Sequence, residues 1–324
     1  MANDTLRWVR LPVASAAMTI MMWAGMPTAA TRSAMDLSAQ QGPRYSDWLQ
    51  PQVVSVLNTS LPEYPNGISR DGLSLYFQRT NPVTGEDLYV AHRPDHEADW
   101  GAPVQLPKTI NTSSNERGAF VSADGHWLYF ASDRPGGMGA SDLYISWRTK
   151  VHDDTAWEPA QNLAAVNSVG FDSGPTLLED DERGTTQLFF NSAPFPGGIQ
   201  AVADIYVSAL GPGGFEAPVP VAELNSPVQE GRPYIRHDGR EIFFQSNRAG
   251  RLEIWSSTRS STAELWSEPT VAISVADLND PTVSAVTTPV LSWDRATLFL
   301  GLVRPGIDNG NVFVATRERV TGKE

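Results

Sequence analysis

Short runs in which aliphatic or aromatic residues alternate with polar residues recur along the chain and predict paired β-strands. The clearest example covers residues 128–146 (LYFASDRPGGMGASDLYIS), where two such runs flank a Pro-Gly-Gly turn. An Asp-Gly turn at residues 124–125 precedes the first run. Glycine supplies the left-handed backbone conformations that tight hairpin turns need. This segment therefore predicts a β-hairpin.

The same hairpin is present five times. Its first strand begins at Leu75, Leu128, Leu188, Ile242 and Leu298, and its second at Asp87, Asp142, Asp204, Glu253 and Asn311. Most copies also have a short β-rich run before the hairpin and an aromatic residue with a nearby proline after it. Four strands in a repeat of roughly 50 to 60 residues are typical of a propeller blade. We therefore predict an all-β protein, a single five-bladed β-propeller of four-stranded blades over residues 45–320.

The two ends of the repeat region predict how the propeller closes. Residues 48–58 contain the Trp, Pro and Asn of the last strand of a unit, with no hairpin before them. The final hairpin, which ends at Arg317, has no such element after it. Because pairing these ends removes open sheet edges, the N-terminal strand is predicted to complete the fifth blade.

The first thirty residues have a different composition from the repeats. Arg7 and Arg10 precede the apolar stretch 11–27, and small residues follow at 28–30. This layout predicts a secretory signal peptide over residues 1–30, followed by a linker over 31–44, because the apolar run is shorter than the ~20 residues of a spanning helix. We therefore expect a periplasmic or secreted protein with no transmembrane span after signal removal.

Composition excludes several classes of function. The chain has no cysteine, which excludes disulfides, thiolate metal sites and a catalytic cysteine. Its formal net charge is −13 and no basic run is present, so nucleic acid is not an expected partner. The five histidines are scattered over turns, loops and a strand end, and they predict neither a metal site nor a Ser-His-Asp triad.

The repeat resembles the TolB-like, WD-type propeller repeats of bacterial periplasmic and secreted proteins. The family pattern is a serine-containing strand, Asp-Gly, an LYF-like strand, Ser-x-Arg with glycines, and Asp-Ile-Tyr-Val-Ser. It is almost complete over residues 122–146 and partial over 69–93 and 235–259, whereas the units near Asp172 and Ser284 depart from it. The resemblance, together with the absence of a recognisable catalytic set, favours a non-catalytic module that binds a protein or a cell-envelope glycan.

An acidic residue recurs just before the predicted innermost strand. The four acids are Glu63, Glu116, Asp172 and Glu230, and Ser284 takes the position in the last unit. We expect them to converge at one mouth of the central channel. One interpretation is that they fasten neighbouring blades, accepting hydrogen bonds from backbone N–H groups or from Arg117, Arg183 or Arg232.

Two functional interpretations of these acids remain open. They are suited to coordinate a hard cation such as Ca2+, although no cofactor is certain from the sequence. Alternatively, Glu116, Asp172 and Glu230 are candidates for the acid and base of a glycoside hydrolase or lyase. The alternative to a binding module is therefore an enzyme that acts on a carbohydrate or another small molecule with carboxylates at the channel mouth.

Ligand contacts are expected where the copies differ from one another. The candidates are Glu63, Tyr64, Arg117, Arg232 and, in the long loop 192–202, Phe195. The repeated Trp48, Trp100, Trp157 and Trp266 are instead predicted to pack between blades. The acidic turn at residues 153–154 is interpreted as a solvated loop tip.

Overall fold

The described part of a computed structural model covers residues 44–83, 85–180 and 183–320. The predicted signal peptide and all but the last residue of the linker lie outside it. Within the described part, 23 β-strands form five antiparallel blades and one two-stranded ribbon, and three short 3₁₀ helices lie between strands. The prediction of a five-bladed, all-β propeller is confirmed. No helix in these residues is long and apolar enough to cross a membrane.

The strands are numbered in chain order. Blade 1 contains β3 (Glu63–Ile68), β4 (Ser74–Asn81), β5 (Gly85–His92) and β6 (Val104–Gln105). Blade 2 contains β7 (Glu116–Val121), β8 (Trp127–Ser132), β9 (Asp142–Trp147) and β10 (Gln161–Asn162). Blade 3 contains β11 (Phe171–Asp180), β12 (Thr185–Ala193), β13 (Asp204–Gly211), β14 (Gly214–Phe215) and β15 (Val219–Pro220).

Blade 4 contains β16 (Glu230–Ile235), β17 (Glu241–Ser246), β18 (Glu253–Thr258) and β19 (Thr270–Ile273). Blade 5 contains β20 (Ala285–Leu291), β21 (Thr297–Val303), β22 (Asn311–Thr316) and β2 (Gln52–Val53). β1 (Arg44–Tyr45) and β23 (Arg319–Val320) form the ribbon, and the 3₁₀ helices span Ser55–Leu57, Gln200–Val202 and Val275–Asp277.

The N-terminal strand closes the ring, as the sequence predicts. β2 pairs antiparallel with β22, with Gln52 opposite Val314 and Val53 opposite Phe313. The innermost strands β3, β7, β11, β16 and β20 each contact the next, and β20 contacts β3. The two ends of the chain are therefore joined within one blade.

Repeated aromatic residues pack between blades, which confirms the prediction for the tryptophans. Trp100 of blade 1 meets Phe299 of blade 5 edge to face, with ring centroids 6.0 Å apart. Trp48 meets Phe243 of blade 4 in the same way at 6.1 Å. An arginine at the end of the third strand covers each repeated indole at 4.1–4.6 Å, in the pairs Arg93–Trp100, Arg148–Trp157, Arg259–Trp266 and Arg317–Trp48. These contacts combine apolar burial with cation–π attraction.

Each innermost strand carries a β-bulge at its centre, where the register against the second strand shifts. In blades 2 to 5 the bulge includes a residue with positive φ, namely Gly118, Gly174, Arg232 or Thr288. Side chains of a flat strand alternate between the two sheet faces, and these faces contact neighbouring blades. The bulges therefore bring backbone and selected side chains to the channel, where residues from all five innermost strands line a narrow cavity.

The turn at residues 153–154 differs from its interpretation as a solvated tip. Asp154 is buried, and its carboxylate contacts Arg148 Nη1 at 2.7 Å and the Tyr76 hydroxyl at 2.7 Å. Because Tyr76 belongs to blade 1 and Arg148 to blade 2, this carboxylate joins two blades. Its neighbour Asp153 makes a local contact in the turn, where its carboxylate accepts a hydrogen bond from the Thr155 hydroxyl.

Candidate functional site

The four repeated carboxylates begin, or nearly begin, the innermost strands and are fully buried. Each accepts hydrogen bonds from the backbone N–H and the hydroxyl of a Thr or Ser four residues earlier. The pairs are Thr59–Glu63, Thr112–Glu116, Ser168–Asp172 and Ser226–Glu230, with hydroxyl distances of 2.5, 2.7, 2.9 and 2.6 Å. The carboxylates thereby tie the incoming turn to the first residues of the blade.

Three of these carboxylates also form ion pairs within their own blade. Glu63 pairs with Arg79 at 2.8 Å, Glu116 with Arg134 at 3.2 Å and Glu230 with Arg248 at 2.8 Å. The predicted partners Arg117 and Arg232 were wrong for this role, because the arginine is delivered by the end of the second strand or the residues just after it. In blade 5 the register places buried Val286 opposite Leu302, so Val286, rather than exposed Ser284, is the equivalent residue.

Asp172 differs from the other three. Ser-Asp-Arg and Ser-Asn-Arg supply the arginine in blades 2 and 4, but blade 3 has Ser-Ala-Pro at residues 192–194. Burial raises the pKa of Asp172 and the nearby Asp142 adds to the rise, against hydrogen bonds from Ser192 and Ser168. This carboxyl is therefore poised closer to its neutral form than an ordinary aspartate is.

Arg117 contacts two acids that the sequence reasoning missed, at the channel mouth formed by the starts of the innermost strands, and Tyr64 lies near enough for the charge of Glu86 to act on it. Arg117 Nε lies 2.8 Å from Glu86 Oε2, and Arg117 Nη2 lies 3.7 Å from Asp133 Oδ2. The Tyr64 hydroxyl donates to the Asn309 carbonyl at 2.7 Å. We call Tyr64, Glu86, Arg117 and Asp133 the mouth cluster.

The mouth cluster is partly open to solvent and is held in place by neighbouring amides. The side chains of Arg117, Glu86 and Asp133 are 15, 21 and 28 % exposed. Glu86 accepts from Gln78 Nε2 at 2.7 Å, and Asp133 accepts from Asn115 Nδ2 at 2.6 Å. These carboxylates are therefore both oriented and reachable by a ligand, in contrast to the buried carboxylates at the strand starts.

A sequence signal for Glu86 existed. It precedes Asp87, and the residues that precede the corresponding strand starts in the other blades are Ser141, Ala203, Leu252 and Gly310. Among the five copies, only Glu86 is charged at this position. A difference between copies was also the criterion that selected Tyr64 and Arg117 as candidates. Asp133 was hidden because it stands inside the Ser-Asp-Arg motif of the blade.

Arg232 and Phe195 lie at different depths. Arg232 is buried in the channel, and the charges that act on it include Glu86 and Arg117. Phe195 is 48 % exposed on the loop between β12 and β13. The hydrogen bonds, ion pairs and ring contacts of the described residues include none between its ring and the mouth cluster. The ring of Phe171 lies 5.8 Å from the guanidinium carbon of Arg117.

Within residues 44–83, 85–180 and 183–320, no group of three or more His, Asp or Glu side chains could hold a metal ion. The opposite channel mouth has a separate cavity of about 180 Å³. There, Trp293 stacks on His237 with ring centroids 4.5 Å apart, and Arg70 covers the indole at 5.2 Å. Arg236 also lines this cavity and pairs with two carboxylates, Asp238 at 2.7 Å and Glu241 at 2.6 Å, whose side chains are 22 and 10 % exposed.

The sequence matches no family model and no curated protein. The fold does match solved structures. The catalytic domain of a GH62 α-L-arabinofuranosidase from Coprinopsis cinerea has a TM-score of 0.60 at 12 % identity, covering 85 % of this chain and 98 % of that chain. A GH43 enzyme from Xanthomonas citri has a TM-score of 0.54 at 14 % identity, covering 82 and 90 %. A native arabinanase of Bacillus subtilis has a TM-score of 0.51 at 12 % identity, covering 78 and 92 %.

These neighbours correct two predictions. The TolB-like resemblance is wrong, because the similar structures are propellers of glycoside hydrolases. The residues that suggested it build blades and therefore occur in propellers of different families. The non-catalytic binding module is also contradicted, since the neighbours favour the carbohydrate-enzyme alternative. At such low identity, the likeness itself establishes only the fold.

Proposed function

We propose that the protein is a carbohydrate-active enzyme of the glycoside hydrolase type, and that its active site is the mouth cluster. The observation that carries this proposal is the pair of partly exposed carboxylates, Glu86 and Asp133, held by the single guanidinium of Arg117. The names of the structural neighbours, which are arabinofuranosidases and arabinanases, support a carbohydrate substrate.

The cluster supplies the groups that glycoside cleavage needs. Such enzymes use two carboxyl groups on either side of the scissile bond, about 5–5.5 Å apart for retention and about 6.5–9.5 Å apart for inversion. One carboxyl donates a proton to the leaving oxygen, and the other attacks the sugar or activates water. Because Arg117 contacts both Glu86 and Asp133, it fixes their separation without placing either beyond the reach of solvent.

Tyr64 and Arg117 are proposed to orient the substrate. Burial and the charge of Glu86 raise the pKa of Tyr64, whose hydroxyl therefore stays protonated. Because that proton is donated to the Asn309 carbonyl, the hydroxyl oxygen is left to accept a hydrogen bond from a sugar hydroxyl. Arg117 offers a planar set of N–H donors suited to vicinal hydroxyls or a ring oxygen. The four deeply buried carboxylates have no such access.

The test is a substrate screen followed by amide substitutions. Protein expressed from residue 31 is assayed on aryl α-L-arabinofuranosides, β-xylosides and β-galactosides, and on arabinan and arabinoxylan. In Glu86→Gln and Asp133→Asn, we expect turnover of the best substrate to fall at least 100-fold, because each loses one catalytic carboxyl. The matched control is Glu268→Gln, which changes an exposed acid far along the chain in the outer part of blade 4.

Two outcomes contradict the proposal. One is full activity in both Glu86→Gln and Asp133→Asn, which would move catalysis elsewhere. The other is the absence of turnover across the whole panel, combined with no change in melting temperature when the same sugars are added. Loss of activity that follows a fall in melting temperature of the variant counts as structural damage, and Glu86→Asp and Asp133→Glu then decide whether the carboxyl itself is needed.

We also propose that the protein is exported to the periplasm or beyond the cell. The proposal rests on the charged, apolar and small-residue segments of residues 1–30. N-terminal sequencing of protein recovered from the exported fraction should begin at Thr31, whereas an intact Met1 in the cytosolic fraction would contradict export.

A further inference from the structure

Arg232 occupies a backbone conformation that favours glycine. It stands in the bulge of β16 with φ of 51°, where the equivalent bulges of blades 2 and 3 have Gly118 and Gly174 with φ of 65° and 62°. A left-handed conformation is costly for a residue with a Cβ, and such strain is concentrated at functional sites. The arginine therefore stands at a position where glycine would relieve strain.

The two glycines leave room for the arginine. A Cβ on Gly174 would lie 3.2 Å from Arg232 Cδ, and a Cβ on Gly118 would lie 2.8 Å from Arg232 Nη1. The side chain thus runs from blade 4 past blade 3 to blade 2. Its backbone N–H is held by Asn191 Oδ1 at 3.0 Å. Small residues on two blades and a fixed backbone together place this guanidinium across the channel.

The guanidinium is charged, buried and incompletely satisfied. Arg232 is 8 % exposed, and in the described residues neither Nε nor Nη1 has a hydrogen-bond partner. Burial lowers its pKa to about 10, against the opposing effect of Glu86, so it remains protonated at neutral pH. Glu86 itself is engaged by Arg117 and Gln78. A buried charge without a close partner is strongly unfavourable, so a counter-ion is expected.

A cavity of suitable size is lined by Arg232. It has a volume of about 20 Å³, which is enough for one water-sized particle, and its lining includes Arg232 and Thr288. The Thr288 hydroxyl is buried and also lacks a partner. Thr288 is itself in the left-handed region with φ of 50°, and its N–H is held by Gln245 Oε1 at 3.2 Å. The cavity therefore brings a positive charge and a free hydroxyl together.

We propose that this channel waist binds one anionic atom, with Arg232 Nε and Nη1 and the Thr288 hydroxyl as its donors. The atom is either a halide ion or one carboxylate oxygen of an acidic sugar that enters from the mouth. The halide form does not depend on the proposed function. The carboxylate form rests on it and defines the substrate class as a glycoside containing uronic acid.

The first test measures melting temperature during titration with sodium chloride and sodium bromide. A ligand that binds the folded state raises the melting temperature in a saturable way. We expect this rise in the parent protein and in Arg251→Met, which changes an exposed arginine of the same blade. In Arg232→Met the saturable rise should be absent, and only the general salt response common to all variants should remain.

The second test separates the two sources of the anion. Glucuronate and galacturonate are compared with glucose and galactose at equal sodium concentration in a halide-free buffer. A rise produced only by the uronates in the parent protein, and lost in Arg232→Met, identifies a substrate carboxylate. A rise produced only by halides identifies a resident ion, and a rise with both shows one site that accepts either.

The third test does not depend on a folded variant. Crystals of the parent protein grown in bromide should show an anomalous peak within hydrogen-bonding distance of Arg232 Nη1. The proposal is overturned if neither halides nor uronates change the melting temperature of the parent differently from that of Arg232→Met. If Arg232→Met does not fold, absence of the bromide peak together with a parent melting temperature insensitive to uronates overturns it. Because these readouts need no turnover, they fail or succeed separately from the proposed enzyme activity.

Discussion

Replacing Glu116 with Gln tests whether the buried carboxylates of the innermost strands act structurally. Glu116 is fully buried and contacts the Thr112 hydroxyl at 2.7 Å, the Ser132 hydroxyl at 2.9 Å and Arg134 at 3.2 Å. Glutamine keeps the size and one acceptor but leaves Arg134 without its carboxylate. Removing one partner of a buried ion pair costs about 3–5 kcal/mol. Because the Arg134 side chain is 14 % exposed, water recovers part of this, and we expect about 2–3 kcal/mol.

Asp172→Asn is the matched comparison, because this carboxylate lacks an arginine. Its pKa is raised by burial, so ionised Asp172 already destabilises the folded state near neutral pH. Asparagine carries no charge and retains an oxygen for Ser168. We therefore expect a cost below about 1 kcal/mol, compared with about 2–3 kcal/mol for Glu116→Gln. At about 2–4 °C per kcal/mol, the expected decreases in melting temperature are about 4–12 °C for Glu116→Gln and under about 4 °C for Asp172→Asn.

The pH dependence provides a second check with a defined sign. A carboxyl whose folded pKa is raised contributes stability that is fully present below its unfolded pKa of about 3.8 and is lost as pH rises through the folded pKa. Asp172→Asn removes this dependence. Its melting temperature relative to the parent should therefore improve between pH 4 and pH 7.

Thermal denaturation followed by circular dichroism across this pH range, with turnover measured at neutral pH, gives both readouts. We expect Glu116→Gln to retain turnover at temperatures where it is folded. The reasoning is refuted if Glu116→Gln melts with the parent but has no activity, since Glu116 would then be catalytic. Equal destabilisation by Glu116→Gln and Asp172→Asn would show that the arginine contact is unimportant.

Three further changes test the blade contacts. Trp100→Ala should lower the stability by about 3–5 kcal/mol, because it empties the contact with Phe299 between blades 1 and 5; chemical denaturation measures this, and a loss below about 1 kcal/mol contradicts it. Deleting residues 1–54 should lower the melting temperature and promote self-association, seen by size-exclusion chromatography, because it exposes the edge of β22; an unchanged monomer refutes closure by β2. Burial alone would raise the pKa of Asp154, but hydrogen bonding from His92 and the charge of Arg148 lower it, so the stability contributed by Asp154 is present above pH 3.8 and is lost as pH falls through the lowered pKa. Asp154→Asn should therefore melt below the parent at pH 7, and the difference in melting temperature should close in strong acid. A difference that does not depend on pH contradicts this.

The sequence was sufficient for the fold because the blade pattern is repeated and strictly ordered. The repeated asparagines show how local the code is. Asn58, Asn111, Asn167 and Asn225 each exchange two hydrogen bonds with one residue of the third strand, respectively Val312, Leu88, Leu143 and Ile205. In blades 1 to 3 the paired residues are only 20 to 24 residues apart, whereas Asn58 and Val312 are 254 residues apart and meet because the ring closes. Blade 4 departs from this arrangement. There Asn279 is followed by Asp280 rather than by Ser or Thr, and Glu253 of the third strand accepts a hydrogen bond from the Val275 N–H.

The direction of side chains in the innermost strands could not be predicted from the sequence. The sequence led to the expectation that the four repeated acids converge at one mouth of the central channel. A strand at the centre of a propeller instead presents its backbone edge to the channel and its side chains to the neighbouring blades. Only a β-bulge alters this arrangement. A bulge adds one residue to the strand without requiring a particular residue type, so the alternation of polar and apolar residues does not reveal it. Arg232 reaches the channel for this reason, whereas Glu230, two residues earlier, does not.

The polar residues therefore fall into two groups, those that recur at the same position in several blades and those that occur in one blade. Glu63, Glu116 and Glu230 each form an ion pair with an arginine of the same blade, so these carboxylates are already occupied by contacts that stabilise the blade. Glu86 and Arg232 occur once at their positions, and each lies where a ligand can approach or where a charge lacks a close partner. A scaffold of five similar blades can bind one asymmetric ligand only through such unrepeated residues. Substitution of repeated residues should consequently change melting temperature before activity, and substitution of unrepeated residues should change activity or anion binding first.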